Sequence, residues 1–286
     1  MKYVLTLTLI TISFAAVISS KCDSFDNVKV KVYPAESTKS YYLNVTGCIE
    51  RIAFNTTITQ VHIRNQVVPR LGRDSIRNMK HLHSAVFENS GTGVLEPSAF
   101  RNVPNLKTIK IIRSDLEVVP KGVFSIVPKL ESLDLSHNKL RHVDNEGFAN
   151  VETLERLHCD HNNLREWKRG WFTNSTNLVL MDFSYNKIKI LPRRSFRDFS
   201  QLREIYFDYN ELEVIESEAF KEVTNLDHLG LRYNRLKHIH SRVFPNDIDI
   251  RVLSLSANYL TFIPKKIMVL VTVREMGIDG NPWKCS

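Results

Sequence analysis

Asparagine returns along this chain with a period that leaves little freedom in the fold. Asn138, Asn162, Asn186, Asn210, Asn234 and Asn258 stand 24 residues apart, and Asn281 closes the series after 23. Extended backwards, the same register falls on Ser114, Ser90 and Gln66, so that ten units fit between residues 58 and 281. Each unit carries the frame apolar-x-x-apolar-x-apolar-x-x-Asn, as in Leu130, Leu133, Leu135 and Asn138, or Leu178, Met181, Phe183 and Asn186. A second column, ten residues after the first, holds Phe100, Phe124, Phe148, Phe172, Phe196, Phe220 and Phe244, and fixes the register independently.

Such spacing is neither helical nor strictly alternating. The central residues of each unit form a short strand with its apolar members inward and the intervening residues outward. One unit cannot bury its own apolar edge, so units must stack around a continuous core. The inward asparagine serves backbone groups that the turn leaves unpaired, because a buried unpaired polar group costs about 1–3 kcal/mol. The two columns resemble the leucine-rich repeat signature. That resemblance implies a right-handed α/β solenoid, a horseshoe of about ten 24-residue repeats with a parallel concave sheet.

The register divides the chain into 1–20, a region 21–57 ahead of the repeats, the repeats at 58–281, and a short remainder at 282–286. Residues 1–20 carry a lysine at position 2, continue through a mostly apolar run from Val4 to Ile18, and end in small residues: the pattern of a secretory signal peptide. The run is shorter than the about 20 apolar residues a membrane span needs, and no later stretch reaches that length. The expected mature chain is secreted, extracellular and without a membrane span. Asn44, Asn55 and Asn174 each open an Asn-x-Ser/Thr triplet and are candidate glycosylation sites.

Four cysteines fit the same compartment. Cys22 and Cys48 flank the region before the first repeat and are expected to form a disulfide that seals the end of the core. Cys159 takes an inward strand position equivalent to Leu135 and Phe183, where it reads as a small buried hydrophobe. Cys285 is left over. The stretch Asn281-Pro282-Trp283-Lys284-Cys285 looks like the opening of the cysteine-flanked C-terminal cap of extracellular leucine-rich repeat proteins, yet the sequence ends one residue later. Either this is a short member, or the sequence is incomplete, or Cys285 links two chains; the odd cysteine favours a disulfide-linked dimer.

The signal peptide, the two-cysteine N-terminal region and the 24-residue repeats together are most similar to the mosquito leucine-rich immune proteins. Members of that family continue into a cysteine pair and a coiled coil that holds complement-like partners. This chain contains neither, and resembles a short, coil-less type. The resemblance implies a protein partner, complement-like or another leucine-rich repeat chain, and a role in innate immunity. A matrix or adhesion protein, or a fragment of a receptor ectodomain, is the alternative.

No catalytic signature appears: Gly-x-Ser-x-Gly, His-Glu-x-x-His and a phosphate-cradling glycine loop are all missing, and no cofactor is expected. A binding role directs attention to the outward strand positions. In repeats four to eight these hold Glu131, Asp134, Glu155, Asp160, Asp182, Glu204, Asp208 and Asp227 against Arg156, Arg203 and Arg232, a local charge of −5 in a chain of net charge +8. Basic residues must therefore concentrate on loops and the outer face, as at Arg193, Arg194, Arg197, Lys265 and Lys266. An acidic concave face is unsuited to nucleic acid. Just before the asparagines stand His137, His161, Tyr185, Tyr209 and Tyr233, with Tyr206 nearby. Such rings stack on one another at a sheet edge and also supply contact area at protein interfaces. The expected partner-binding set is therefore Asp134, His137, His158, Asp160, His161, Asp182, Tyr185, Tyr206, Asp208, Tyr209, Arg232 and Tyr233. His158-Cys159-Asp160-His161 with Asp134 and Asp182 also reads as a candidate metal cluster, with His158 between the two aspartates, but the inward Cys159 takes the soft ligand out of the group, and no metal is assigned.

Overall fold

Each apolar position of the repeat recurs at the same point of successive coils, and the result is one sheet that grows by a strand per unit. The computed structural model describes residues 22–54, 56–270 and 272–284; the expected signal peptide at 1–20, Asn55 and Cys285 lie outside the described residues. Two strands open the chain, β1 (Phe25–Pro34) and β2 (Tyr41–Gly47), paired as an antiparallel hairpin. The first repeat strand, β3 (Ile58–Arg64), runs antiparallel to β1. The next four strands are β4 (Ser84–Glu88), β5 (Thr108–Ile112), β6 (Ser132–Asp134) and β7 (Arg156–His158). After them come β8 (Leu180–Asp182), β9 (Glu204–Tyr206), β10 (Asn225–Gly230), β11 (Asp249–Ser254) and β12 (Thr272–Gly277). The strands form one 12-stranded sheet in the order β2-β1-β3 through β12, and β3 to β12 are all parallel.

Register follows the period. Ile109, Leu133, Leu157, Met181, Ile205 and Leu229 are successive partners, and all are buried. The phenylalanine column lines the opposite wall: Phe124, Phe148 and Phe172 stack at 6.4 and 5.3 Å between centroids, and Phe196, Phe220 and Phe244 at 4.8 and 5.3 Å. Trp167 stands between the two runs, 5.3 Å from both Phe172 and Phe196. Full burial of each such ring stabilises the coil by about 1.5–3 kcal/mol.

Helix is nearly absent from the outer side that an α/β solenoid leads one to expect. Among the described residues it amounts to a short α-helix at Lys265–Leu270 and 3₁₀ turns at Arg51–Ala53 and Arg169–Phe172. The remaining returns are turns and two-residue strands, such as Val118–Val119 against His142–Val143. The cause is local: left-handed residues, among them Glu146 (φ 63°) and Asn150 (φ 57°), recur within one turn of each other and break any helical run.

The asparagines occupy the place expected of them, and each bonds across two coils. Asn186 Nδ2 donates to the carbonyls of Cys159, Phe183 and Ser184 at 2.9, 3.1 and 3.2 Å, while its Oδ1 accepts the Leu164 N–H at 2.9 Å. The Cys159 carbonyl also accepts from Asn162, and the Phe183 carbonyl from Asn210, so neighbouring amides share acceptors in an unbroken ladder. Where asparagine is lost, hydroxyls take over: Ser114 Oγ accepts the Ser90 N–H at 3.2 Å, and Thr92 donates to the Val68 carbonyl at 2.8 Å. Gln66 turns instead to the cap, where its Oε1 accepts the Lys29 N–H at 3.2 Å.

At the N-terminal end Cys22 and Cys48 are joined by a disulfide, with Cα atoms 5.6 Å apart. Buried Arg77 reaches back to Glu50, its Nε donating at 2.9 Å, and ties the region before the repeats to the first coils. Cys159 is free and fully buried, and burial pushes its thiol well above the ordinary range.

The ladder makes a graded prediction. Asn186→Ala orphans the buried Leu164 N–H and removes three donated bonds, and should lower stability by about 2–4 kcal/mol. Asn281→Ala, in the half-buried last coil, should cost clearly less. Urea unfolding measures both, and equal losses would refute the ladder as the source of stability.

Candidate functional site

Three outward columns run side by side across the middle of the sheet. The first contains Lys110, Asp134, His158, Asp182, Tyr206 and Gly230, which are direct register partners on β5 to β10. Two residues further along each coil lie Ser136, Asp160, Ser184, Asp208 and Arg232. The third contains His137, His161, Tyr185, Tyr209 and Tyr233. All twelve residues expected from the sequence fall on these columns.

The third column has a backbone cause. Asn65, Asn89, Arg113, His137, His161, Tyr185, Tyr209, Tyr233 and Ala257 all have φ between 49° and 55°, and Gly280 completes the series at 72°. The chain turns left-handed once per coil, at the residue before the asparagine position. The amide there still extends the sheet ladder: Tyr185 N–H donates to the Asp208 carbonyl and Tyr209 N–H to the Arg232 carbonyl, both at 2.9 Å. Side chains at this point leave the sheet edge in parallel. Ring centroids are 4.0 Å apart for His137–His161, 4.2 Å for His161–Tyr185, 4.3 Å for Tyr185–Tyr209 and 4.4 Å for Tyr209–Tyr233. Interplanar angles of 7° to 19° make this one continuous stack. Tyr185 and Tyr233 remain exposed, and the Arg232 guanidinium lies 5.6 Å from the Tyr209 ring.

The carboxylates differ in how they are balanced. Asp134 pairs with Lys110 at 3.3 Å and accepts from Ser136. Asp208 accepts both the Arg232 N–H at 2.9 Å and its guanidinium at 3.1 Å. Gly230 makes room for that contact, since a Cβ there would meet Asp208 Oδ1 at 2.7 Å. Asp160 lies 2.8 Å from His161 Nδ1; as an ionised carboxylate only accepts, Nδ1 carries the proton. Asp182 accepts the Ser184 N–H at 2.9 Å and bonds no cationic side chain among the described residues.

Burial pushes the carboxyls of Asp182 and Asp208 above the usual carboxylate range, against the hydrogen bonds that oppose the shift. Burial likewise lowers His137 and His228 below the ordinary histidine value, with the neighbouring His161 adding to the effect at His137. Tyr206 donates to Glu204 at 2.6 Å, and burial together with that bond raises its phenol. The paired Lys110, and Ser184 and Gly230, escaped the sequence reading. Lys110 lies one repeat outside the span over which charge was counted, and the other two carry no charge.

Two groups on this face could hold a metal ion: His158, Asp160 and Asp182, and His137, Asp160 and His161, with ligand atoms within 4.8 Å of one another in each. Asn44, on β2, and Asn174, at φ 60°, are exposed and stand away from the columns. No described helix is long and apolar enough to cross a membrane.

A coil of this length, with inward leucines and a bonded asparagine, defines a leucine-rich repeat domain. The leucine rich repeat family pattern matches residues 80–140, 104–164, 152–212, 201–246 and 224–282, and the chain belongs to that family. No curated protein matches the sequence significantly. Among solved structures it is similar to a chain of the Toll–Spätzle complex of Drosophila, described as a molecular hub in development and innate immunity. The TM-score is 0.63 at 22% identity, over 71% of this chain and 28% of that one. The likeness is of fold, and the matched part of this chain spans less than a third of its neighbour.

The unbalanced carboxylate has a measurable consequence. A raised folded-state pKa means that the native protein binds more protons than the unfolded chain between the ordinary and the raised value. The group's contribution is therefore fully favourable below the unfolded pKa near 3.8 and is lost as pH rises through the folded value. Asp182→Asn keeps an acceptor for Ser184 and removes the half-buried charge. In chelated buffer it should be at least as stable as the parent at pH 7, with any advantage vanishing below pH 4. A variant less stable than the parent at pH 7 would show that the charge is compensated after all.

Proposed function

We propose that this protein is a secreted, extracellular binding protein of innate immunity that engages a protein partner through its concave face. The observation that carries this reading is the five-ring stack, exposed at every ring but the half-buried Tyr209, running beside a row of carboxylates on the same sheet. Tyrosine offers large contact area with few rotatable bonds plus a hydroxyl, the combination enriched at interface hot spots. Carboxylates beside it steer a basic partner and set its encounter rate, an effect that salt screens over about 8–10 Å. Asp160 and Asp182 lead in that role, because Asp134 and Asp208 are already tied to Lys110 and Arg232.

The basic outer surface offers less. Arg193 and Arg194 share Glu218, and Arg169 holds Asp198, so much of that charge is spent locally. The disulfide between Cys22 and Cys48 is in keeping with an extracellular compartment. The Drosophila complex that shares this fold is itself described as a hub of innate immunity, which supports placing the partner among proteins of that system. A complement-like chain or a second leucine-rich repeat chain fits the acidic, aromatic surface if its own contact face is basic. A dimer linked through Cys285 belongs to the same reading.

Affinity capture from the source's extracellular fluid tests the reading, with three baits compared. The parent and Arg193→Glu/Arg194→Glu should retain the same partner, whereas Tyr209→Ala/Tyr233→Ala should lose it at least tenfold while staying folded by circular dichroism. Retention by the tyrosine variant with loss by the arginine variant would move the site to the outer face. Non-reducing electrophoresis, with Cys285→Ser as control, reports on the dimer in the same preparations.

A further inference from the structure

His158 and Asp182 are register partners on neighbouring parallel strands, and Asp160 follows His158 by two residues on the same coil, so the three side chains occupy adjoining points of the concave surface. We propose that they form a site for one divalent cation of the zinc class, bound by one imidazole nitrogen and one oxygen from each carboxylate, with the fourth position open to water or to a partner's donor. The ligand atoms already lie within 4.8 Å of one another. Tetrahedral zinc with ligands at about 2.0–2.2 Å brings them to about 3.4 Å, a contraction within reach of side-chain rotation.

Three observations converge on a cation there. The first is charge. Lys110 answers Asp134 and Arg232 answers Asp208, but Asp182 bonds no cationic side chain among the described residues. Two carboxylates and a neutral imidazole balance a dication. The second is the outer hydrogen bonding that a metal site needs to orient its ligands. Ser184 orients the Asp182 carboxylate, its N–H donating to Oδ1 at 2.9 Å. His161 holds Asp160 Oδ2 and leaves Oδ1. The third is donor chemistry. A mixed nitrogen and oxygen set with Cys159 turned away into the core selects zinc, cobalt or nickel over calcium and magnesium, which take oxygen ligands.

The other group that shares Asp160 is less suited. His137 and His161 are stacked face to face at 4.0 Å and 19°, so the in-plane lone pairs of their rings run nearly parallel and do not converge on one point. His161 instead supports Asp160 from outside the site. The proposal stands apart from the partner reading, since a cation would bind here whether or not the face also takes a protein.

Isothermal titration of zinc chloride into the full chain, stripped beforehand with a chelator, tests it, with cobalt absorption as a second readout. One saturable site at micromolar zinc or tighter is expected, together with the visible bands of tetrahedral cobalt. His158→Ala and Asp182→Asn should each weaken it at least tenfold, and His137→Ala should leave it unchanged. The proposal is overturned by the absence of saturable zinc binding, by equal binding in the His158 and Asp182 variants, by loss of the site in His137→Ala, or by calcium binding as tightly as zinc. Circular dichroism of each variant separates loss of ligands from loss of fold.

Discussion

Each coil of the solenoid must reverse direction inside its own core, and a reversal strands backbone N–H and C=O groups where water cannot reach them. The asparagine side chain solves this because it both donates and accepts, with two N–H groups and one carbonyl on a single planar amide. Its position couples coils that are 24 residues apart: the oxygen serves the preceding coil's N–H, and the amino group spans the carbonyls of two coils. Inward leucines and stacked phenylalanines then have a fixed frame against which to pack. Without that amide the apolar columns could still collapse, but nothing would set the height of one coil on the next.

Much of this was legible because the constraint repeats. A period read from seven asparagines and seven phenylalanines gives the register, the inward and outward faces, and the columns that Asp134, His158 and Asp182 share. The left-handed residue of each coil was not legible. Arg113, His137, Tyr185 and Ala257 occupy equivalent points with nearly the same φ, and only Asn65, Asn89 and Gly280 in this column are of residue types that favour it. The backbone here is dictated by the turn, whatever the side chain. The helices implied by the family resemblance are largely missing for the same kind of reason, since left-handed residues such as Glu146 and Asn150 look ordinary in sequence. The substitution of hydroxyls for asparagine at Ser90 and Ser114 was visible as a loss, while its repair through Thr92 required knowing which groups meet across coils.

The concave face gains its character from the inequality of similar residues. Four aspartates lie within two columns, yet one is held by a lysine, one by an arginine and one by a histidine, while the fourth has only the backbone and hydroxyl of a neutral serine. Counting charges along the sequence treats them alike. Burial and hydrogen bonding separate them, and thereby concentrate the unanswered negative charge near β7 and β8, against the exposed edge of the aromatic stack. A partner or an ion arriving at this surface would meet its strongest attraction there.

The recurring left-handed turn also sets what this face can become. A residue at that point stands clear of the core, so its side chain can be exchanged without disturbing the asparagine one place further on. The exchange is restricted by backbone shape and not by packing: positive φ is tolerated by glycine, asparagine and, at some cost, by aromatic and other unbranched residues, and is worst for valine, isoleucine and threonine. Ring stacking offsets part of that cost only while neighbouring coils also carry rings. The column therefore behaves as an alphabet with few permitted letters in which adjacent letters favour their own kind, and the surface chemistry of the solenoid can be rewritten in blocks of several coils while its frame stays the same.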